Sequence, residues 1–248
     1  MNNNIPDTEK LYFKSKPIDQ LTDIQALKLI ISEQKNVIKT LENQINSIKN
    51  VVDHIYNKII LNPNSRLIYV GAGTSGRIAV QDGSELFPTF GWPKKKFDFL
   101  IAGKIKSLYQ SIENAEDDIK EAKIECLKKK INNSDIVIGL AASGNTPYTC
   151  EVLKQSKKNK ALVIAITNNQ YGKIIDHSDL NIFLNTGPEV IAGSTRMKAG
   201  TSQKICLNLI STLLMIKLGC VKNGQMINLI PNNEKLRKRI KIIKKFLV

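Results

Sequence analysis

Three short segments of the sequence are rich in glycine and in hydroxyl side chains. They are GAGTSGR at 71–77, AASGNTPY at 141–148 and AGSTRMKAGTS at 192–202. Glycine allows a backbone to approach a ligand closely, and Ser and Thr hydroxyls can donate hydrogen bonds to phosphate oxygens. The three segments therefore predict a binding site for a phosphorylated ligand.

The first segment has the G-x-G-x-x-G spacing of a dinucleotide-binding turn, at Gly71, Gly73 and Gly76. A dinucleotide site also needs an acidic residue at the end of the next strand, about 20 residues further on. The nearest candidate, Asp98, lies inside the apolar run FDFLIA instead of at its end. The segment thus favours a sugar phosphate over a dinucleotide.

We expect all three segments to contact this ligand. The predicted binding residues are Gly73, Thr74, Ser75 and Gly76 from the first segment, Ser143, Gly144, Asn145 and Thr146 from the second, and Ser194, Thr195 and Lys198 from the third. A helix N-cap is the alternative role for any single hydroxyl. Three such clusters together favour a ligand site.

Carboxylates are the expected source of catalytic groups, because histidine is nearly absent. The only histidines are His54 and His177, and the four cysteines are isolated from one another. This composition argues against a Ser-His-Asp hydrolase and against a zinc or other metal site. The glutamates nearest the glycine-rich segments are Glu85, Glu113 and Glu116.

The charge balance is strongly basic, with 37 Lys and Arg against 22 Asp and Glu in 248 residues. The lysines are scattered and aromatic residues are few, so no nucleic-acid partner is expected. No apolar run reaches the roughly 18 residues of a membrane span, which predicts no membrane partner. The polar N-terminus has no apolar signal region, and a cytoplasmic location is expected.

The elements that must position these residues follow from the hydrophobic pattern. From Leu27 to Ile59 apolar residues recur three or four apart, which predicts one or two amphipathic helices in an N-terminal helical arm, residues 1–64. Thr22 and Gln25 have the spacing of a capping box at its start. The last segment, 220–248, predicts a short basic helical tail with apolar positions at Leu236, Ile240, Ile243 and Phe246.

Between these parts, residues 65–219 contain five short apolar runs separated by segments long enough for helices. The runs are RLIYV, FDFLIA, DIVIGLA, ALVIAIT and LNIFLN. Apolar strands that alternate with helices are typical of a parallel sheet covered on both faces. We predict an α/β fold with a doubly wound, five-stranded parallel sheet, followed by a long helix that Gly219 terminates.

At this point the motifs carry a family resemblance. The segments GAGTSGR, DGSELFPTFG, ENAEDD, AASGNTPY and GPEVIAGSTRMKAGTSQK resemble, in order and spacing, the sugar-isomerase-type (SIS) domain of N-acetylmuramic acid 6-phosphate etherases. The resemblance extends from about residue 19 to about residue 236. Five motifs in register make it highly specific.

The resemblance implies cleavage of the lactyl ether of N-acetylmuramic acid 6-phosphate, which gives N-acetylglucosamine 6-phosphate and D-lactate during peptidoglycan recycling. It implies a homodimer that needs no cofactor. By the same resemblance, Glu85 is the proton donor to the departing lactate and Glu116 is the general base. Glu189, in the GPEV motif, joins the expected substrate-binding residues.

Several positions depart from the family pattern. Gly83, Leu86 and Phe87 stand where the family has Ala, a small residue and Pro; Asn145 replaces an Arg, and Lys104 replaces a second glycine. Loss of an arginine beside an anion site removes a bidentate cation. The family also commonly continues into a small helical domain beyond the end of this sequence.

Two alternatives remain open at this stage. The glucokinase regulatory protein shares the fold and binds sugar phosphates without catalysis, so a binding module is one alternative. A sugar-phosphate aldose-ketose isomerase is another, because its reaction also begins with removal of the C2 proton. The presence of both Glu85 and Glu116 favours the etherase.

Overall fold

A five-stranded parallel sheet forms the centre of the computed structural model, which describes residues 5–231 and Glu234. Its strands are β1 (Leu67–Gly71), β2 (Phe97–Ile101), β3 (Ile136–Ala141), β4 (Leu162–Thr167) and β5 (Leu180–Phe183). They lie in the order β2-β1-β3-β4-β5, and each neighbouring pair is parallel. Each strand lies on one of the five apolar runs, so the predicted α/β sheet is confirmed.

Helices cover both faces of the sheet. They are α1 (Asp23–Glu33), α2 (Lys35–Asn43), α3 (Ile45–Leu61), α4 (Gly73–Ser84), α5 (Leu86–Phe90), α6 (Ile119–Lys129), α7 (Pro147–Lys158) and α8 (Lys198–Lys217). Successive strand residues point to opposite faces. Tyr69 therefore joins the core that includes α3 and α8, whereas Val70 joins the core that includes α6 and α7.

The N-terminal arm folds as three helices, α1 to α3, where one or two were predicted. The capping box is confirmed, because Thr22 Oγ1 accepts from the N–H of Gln25 and Gln25 Oε1 accepts from the N–H of Thr22. Val52 and Ile55 of α3 are fully buried in the core that contains the sheet. Arm and sheet share this core, and the division of the chain at residue 64 stays a prediction.

Short elements complete the fold. One-turn 3-10 helices form at Asp7–Glu9, Ile18–Gln20, Lys94–Lys96, Ile105–Leu108, Ala115–Asp117 and Ile175–His177. Gly219 has a φ of +76° and ends α8 as predicted. A hairpin, β6 (Val221–Lys222) and β7 (Gln225–Met226), follows it around an Asn223-Gly224 turn. The prediction of a helical tail from residue 220 was therefore wrong for the first residues of the tail, because Asn-Gly is a strong hairpin signal. The predicted basic helix with Leu236, Ile240, Ile243 and Phe246 lies outside the described residues.

All four cysteines are free, and Cys126, Cys206 and Cys220 are buried. No group of His, Cys, Asp and Glu within the described residues could hold a metal ion. No helix in the same part of the chain is long and apolar enough to cross a membrane.

Candidate active site

The first glycine-rich segment forms the turn between β1 and α4. A Cβ on Gly71 would lie 2.7 Å from the backbone nitrogen of Gly76, and a Cβ on Gly76 would lie 2.9 Å from the carbonyl oxygen of Gly71. These two glycines let the helix start close against the strand. Gly73, between them, has a φ of +52°, which favours glycine.

A cavity of about 380 Å³ opens at this turn, at the carboxyl edge of the sheet. Ligands of open α/β sheets bind at this edge. The cavity brings together eight predicted site residues: Gly73, Thr74, Ser75, Glu116, Ser143, Asn145, Thr146 and Thr195. Glu9, Ala72, Ala142, Pro147 and Gly193 complete its lining.

Four side-chain hydroxyls in this cavity have no hydrogen-bond partner among the described residues, whereas Ser143 Oγ accepts from the N–H of Asn145. The side chains of Thr74, Ser75 and Thr195 make no hydrogen bond to any described residue. Thr146 stands at the N-cap of α7 without a side-chain capping bond, so the N-cap alternative does not hold for it. Helices α4 and α7 both begin at the cavity, where unpaired backbone N–H groups and the helix dipole favour an anion.

Glu116 enters the cavity from the loop that follows β2. It is exposed and lies in the one-turn helix Ala115–Asp117. Arg77 of α4 fixes the loop, because its Nε donates to the carbonyl of Ser107 at 2.8 Å and its Nη2 donates to the carbonyl of Gln110 at 3.1 Å. A second cavity, of about 230 Å³, adjoins on the other side of Glu116 and includes Arg77 and Glu113.

Glu85 lies away from this cavity, just beyond the C-terminal end of α4. It is exposed and lines a separate depression with Ile78, Gln81, Asp82, Lys204 and Asn208. Gly73 begins α4 at the cavity, and the helix has 12 residues. At 1.5 Å per residue, Glu85 stands about 18 Å further along the helix axis. One chain therefore does not bring the two predicted catalytic glutamates together.

Glu189 and Lys198 also lie outside the cavity lining, although both were predicted to contact substrate. The Nζ of Lys198 is buried and lies 2.6 Å from Glu33 Oε2 of the arm. Glu189 accepts from the backbone N–H groups of Lys198 and Ala199 at the start of α8. Burial raises the pKa of Glu189, and these two hydrogen bonds oppose that rise. Both side chains brace the start of α8 in this structure.

The remaining predicted residues shape the loops. Gly76 packs against β1, and Gly144 has a φ of +72° with no room for a Cβ beside Gly172. Ser194 lies next to the cavity without lining it. Asn145, in place of the family arginine, donates to the carbonyl of Ser143 and accepts from the N–H of Lys173. It presents a neutral amide to the cavity.

Two other departures from the family pattern have local structural reasons. A Cβ on Gly83 would lie 1.8 Å from the ring of Phe97, so glycine makes room for this aromatic side chain. Lys104 has a φ of +61°, a region that favours glycine, and its ammonium pairs with Glu121. Leu86 is buried in the core that includes α3 and α8, and the Lys94 ammonium lies 4.6 Å from the centre of the Phe87 ring.

Three residues around the site were missed from the sequence. Arg77 anchors the Glu116 loop, and its position directly after the glycines was an available signal. Asp82 is buried beside Glu85 and accepts hydrogen bonds from Tyr69, Asn208 and Ser211; burial raises its pKa against the effect of those bonds. Glu9 reaches the cavity from the N-terminus, and no local pattern marked it.

Comparison with known proteins agrees with this fold. The family model of the glucokinase regulatory protein N-terminal SIS domain matches residues 44–168. A phosphoheptose isomerase from Francisella tularensis superposes with a TM-score of 0.60 at 15% identity, covering 79% of this chain and 100% of its own. The chain thus has the SIS fold.

Two curated relatives are much more similar in sequence. The N-acetylmuramic acid 6-phosphate etherase of Mycoplasma mycoides is 40% identical over 245 residues, which cover 98% of this chain and 80% of that protein. The enzyme of the same name from Lactobacillus johnsonii is 42% identical, over 94% of this chain and 78% of its own. The chain belongs to the N-acetylmuramic acid 6-phosphate etherase family.

Proposed function

We propose that this protein is a carbon-oxygen lyase that cleaves the D-lactyl ether of N-acetylmuramic acid 6-phosphate, giving N-acetylglucosamine 6-phosphate and D-lactate. The observation that carries the proposal is the cavity where two helix N-termini, several unpartnered hydroxyls and the Glu116 carboxylate meet. Family membership supplies the substrate. A site for amino-sugar phosphates fits a role in peptidoglycan recycling in the cytoplasm.

The phosphate is expected to bind at the start of α4 and α7. Thr74, Ser75 and Thr146 have hydroxyls available, and Ser143 lies on the same loop as Thr146. No Lys or Arg lines this cavity among the described residues. Neutral donors and helix dipoles would therefore hold the phosphate, which is a known way of binding anions.

The sugar end of the substrate needs one base and one acid. In the open-chain sugar the aldehyde acidifies the C2 proton, and Glu116 takes that proton to form an enolate. The C3–O bond then breaks, and the lactate oxygen receives a proton from Glu85. Water adds its hydroxyl at C3 while C2 is reprotonated, so the net reaction is hydrolysis of the ether. A well-placed acid or base contributes about 10² to 10⁴ in rate.

We also propose that Glu85 reaches the cavity from a second copy of the chain. The start of α4 lines the cavity and its end carries Glu85. A two-fold axis across this helix would set the α4 helices of two chains antiparallel, with each end beside the other's start. Such a homodimer has two identical sites, as isologous interfaces require.

A second candidate function is noncatalytic binding of a sugar phosphate. Glu85 and Glu116 line separate depressions in one chain, which favours this candidate, because a monomer would have the phosphate-binding groups without Glu85 as the proton donor. An isomerase is a further alternative, since Glu116 alone could move a proton between carbons.

Mass spectrometry in ¹⁸O-water separates these functions. N-acetylmuramic acid 6-phosphate incubated with the protein should give unlabelled D-lactate and N-acetylglucosamine 6-phosphate that carries ¹⁸O at C3. Label in the lactate would indicate a different bond cleavage. Unchanged substrate would favour the binding protein. Conversion of glucose 6-phosphate to its ketose in a parallel assay would favour the isomerase, because a ketose forms only from a sugar with a hydroxyl at C2.

A further inference from the structure

Residues 5–12 lie against the loops that border the cavity. We call this segment the N-terminal strap. Its central residue, Thr8, is fully buried. The side chain of Asn169 donates to Thr8 Oγ1 at 3.0 Å, and the N–H of Gly193 donates to the carbonyl of Thr8 at 3.0 Å. The strap is thus fixed to the loop after β4 and to the loop before α8.

The next residue of the strap, Glu9, lines the cavity together with Glu116 and the hydroxyl-bearing loops. Its carboxylate occupies the space that Gly193 leaves open, since Oε2 lies 2.8 Å from where a Cβ on Gly193 would stand. Glu9 is exposed, and its carboxylate makes no hydrogen bond or ion pair with the residues that the structure describes. A carboxylate therefore faces the cavity without a partner among those residues.

The chemistry of a carboxylate limits what Glu9 can bind. It accepts hydrogen bonds and repels a phosphate group. The phosphate-binding groups lie at the starts of α4 and α7, so Glu9 is available for the uncharged part of the ligand. Sugar hydroxyls and an acetamido N–H are donors of the type that a carboxylate accepts.

We propose that Glu9 is a substrate-binding residue that accepts hydrogen bonds from the sugar, and that the strap is part of the active site. The identity of the substrate in this inference rests on the proposed function. It assigns a third carboxylate to the site, with a role different from those of Glu116 and Glu85. The strap links binding of the sugar to correct docking of the N-terminus.

Steady-state kinetics of Glu9→Ala with N-acetylmuramic acid 6-phosphate test the proposal. Loss of a hydrogen bond to a charged group should raise KM by about 10-fold or more, while kcat stays within about 2-fold. Asp7→Ala is the matched control, because Asp7 lies in the same 3-10 helix but outside this cavity. Its KM should equal that of the wild type.

Inhibition by inorganic phosphate gives a second readout. Phosphate should inhibit Glu9→Ala at least as well as the wild type, because the variant loses a like charge near the anion site. An unchanged KM in Glu9→Ala, a loss of kcat at constant KM, or an equal rise of KM in Asp7→Ala would each overturn the proposal. Weaker inhibition by phosphate would also do so, since it would indicate a distorted cavity.

Calorimetry with N-acetylglucosamine 6-phosphate separates failure of this inference from failure of the proposed function. If the wild type releases no lactate, the proposed function fails, yet Glu9→Ala should still bind this sugar phosphate about 10-fold more weakly than the wild type. Equal affinity of the two proteins would overturn the role of Glu9. Glu9→Gln, which retains an acceptor and most of the volume, should show a smaller loss than Glu9→Ala.

Discussion

At the residue scale, the proposed reaction assigns different proton transfers to Glu116 and Glu85. Glu116 lines the cavity beside the loops that we propose bind the phosphate. This proposal places the C2 carbon of the sugar within reach of Glu116. Glu85 would act later, when the C3–O bond breaks. The two roles can be tested separately, because exchange of the C2 proton with solvent needs the base Glu116 and does not formally need the acid Glu85.

Glu116→Gln should therefore abolish both lactate release and exchange of the C2 hydrogen in D₂O, because an amide cannot accept the proton. Glu85→Gln should suppress lactate release while some C2 exchange remains. Proton NMR follows both signals in one tube. Glu113→Gln is the control, since Glu113 belongs to the same loop but lines only the adjoining cavity. C2 exchange in Glu116→Gln but not in Glu85→Gln would reverse the roles.

At the element scale, an ion pair docks the N-terminal arm onto the start of α8. Lys198 at the start of α8 is 3% exposed in its side chain, and Glu33 at the end of α1 is 11% exposed. Tyr12 of the strap donates to the same carboxylate at 2.9 Å. Partial burial raises the pKa of Glu33, but the hydrogen bonds from Lys198 and Tyr12 outweigh burial and lower it overall. The pair joins arm, strap and α8.

Glu33→Gln should reduce the free energy of unfolding by about 3 kcal/mol near pH 7, because it leaves the Lys198 ammonium buried without its counter-ion. Because the pKa of Glu33 is lower in the folded protein than in the unfolded chain, the ionised carboxylate stabilises the fold at pH values above the unfolded-state pKa. This stabilisation is lost as the pH falls through the folded-state pKa. The difference in the free energy of unfolding between wild type and Glu33→Gln should thus become smaller as the pH falls below the ordinary pKa of glutamate.

Urea unfolding at several pH values measures this effect. Glu42→Gln on the neighbouring helix α2 is the control, since Glu42 is exposed, and a surface substitution changes stability by about 0.5 kcal/mol or less. If Glu33→Gln lowers the free energy of unfolding by the same amount at neutral and at acidic pH, the ion pair is not the cause of the destabilisation.

At the scale of the whole molecule, the proposed homodimer would complete the site by supplying Glu85 from a second chain. Ile24, Leu27 and Ile31 form an exposed apolar face on α1, with spacings of three and four residues. Other apolar residues of the predicted stripe, such as Val37, Leu41 and Ile48, pack into the core. We therefore expect a homodimer to bury the exposed apolar residues of the arm.

Heterodimers of the two glutamate variants test the assembly. A dimer of one Glu85→Gln chain and one Glu116→Gln chain has one intact site if each site takes Glu85 from the partner, and none if each site uses a single chain. Heterodimers purified through two different tags should therefore regain about half of the wild-type activity. Pairing Glu116→Gln with the double variant should give no activity. Inactive heterodimers of the single variants would refute the shared site.

Much of the fold could be predicted because its signals are local. Strands β1 and β3 are runs without a charged residue and are buried on both faces, as is typical of a parallel sheet, so their pattern is visible within a few residues. The loops after β1 and β3 meet because neighbouring parallel strands end at one edge. The positions of Thr74, Ser75, Ser143 and Thr146 directly after apolar strands therefore predict that they share one site.

Only the tertiary structure decided the contacts between distant segments. Glu9 approaches Gly193 across most of the chain, and Lys198 turns toward Glu33 of the arm instead of the cavity. The sequence determined that Glu85 and Glu116 both follow the glycine turn, but the direction of α4 places Glu85 at the far end of the helix. Such long-range placements depend on how helices pack, and the spacing of residues within a segment carries no information about that packing.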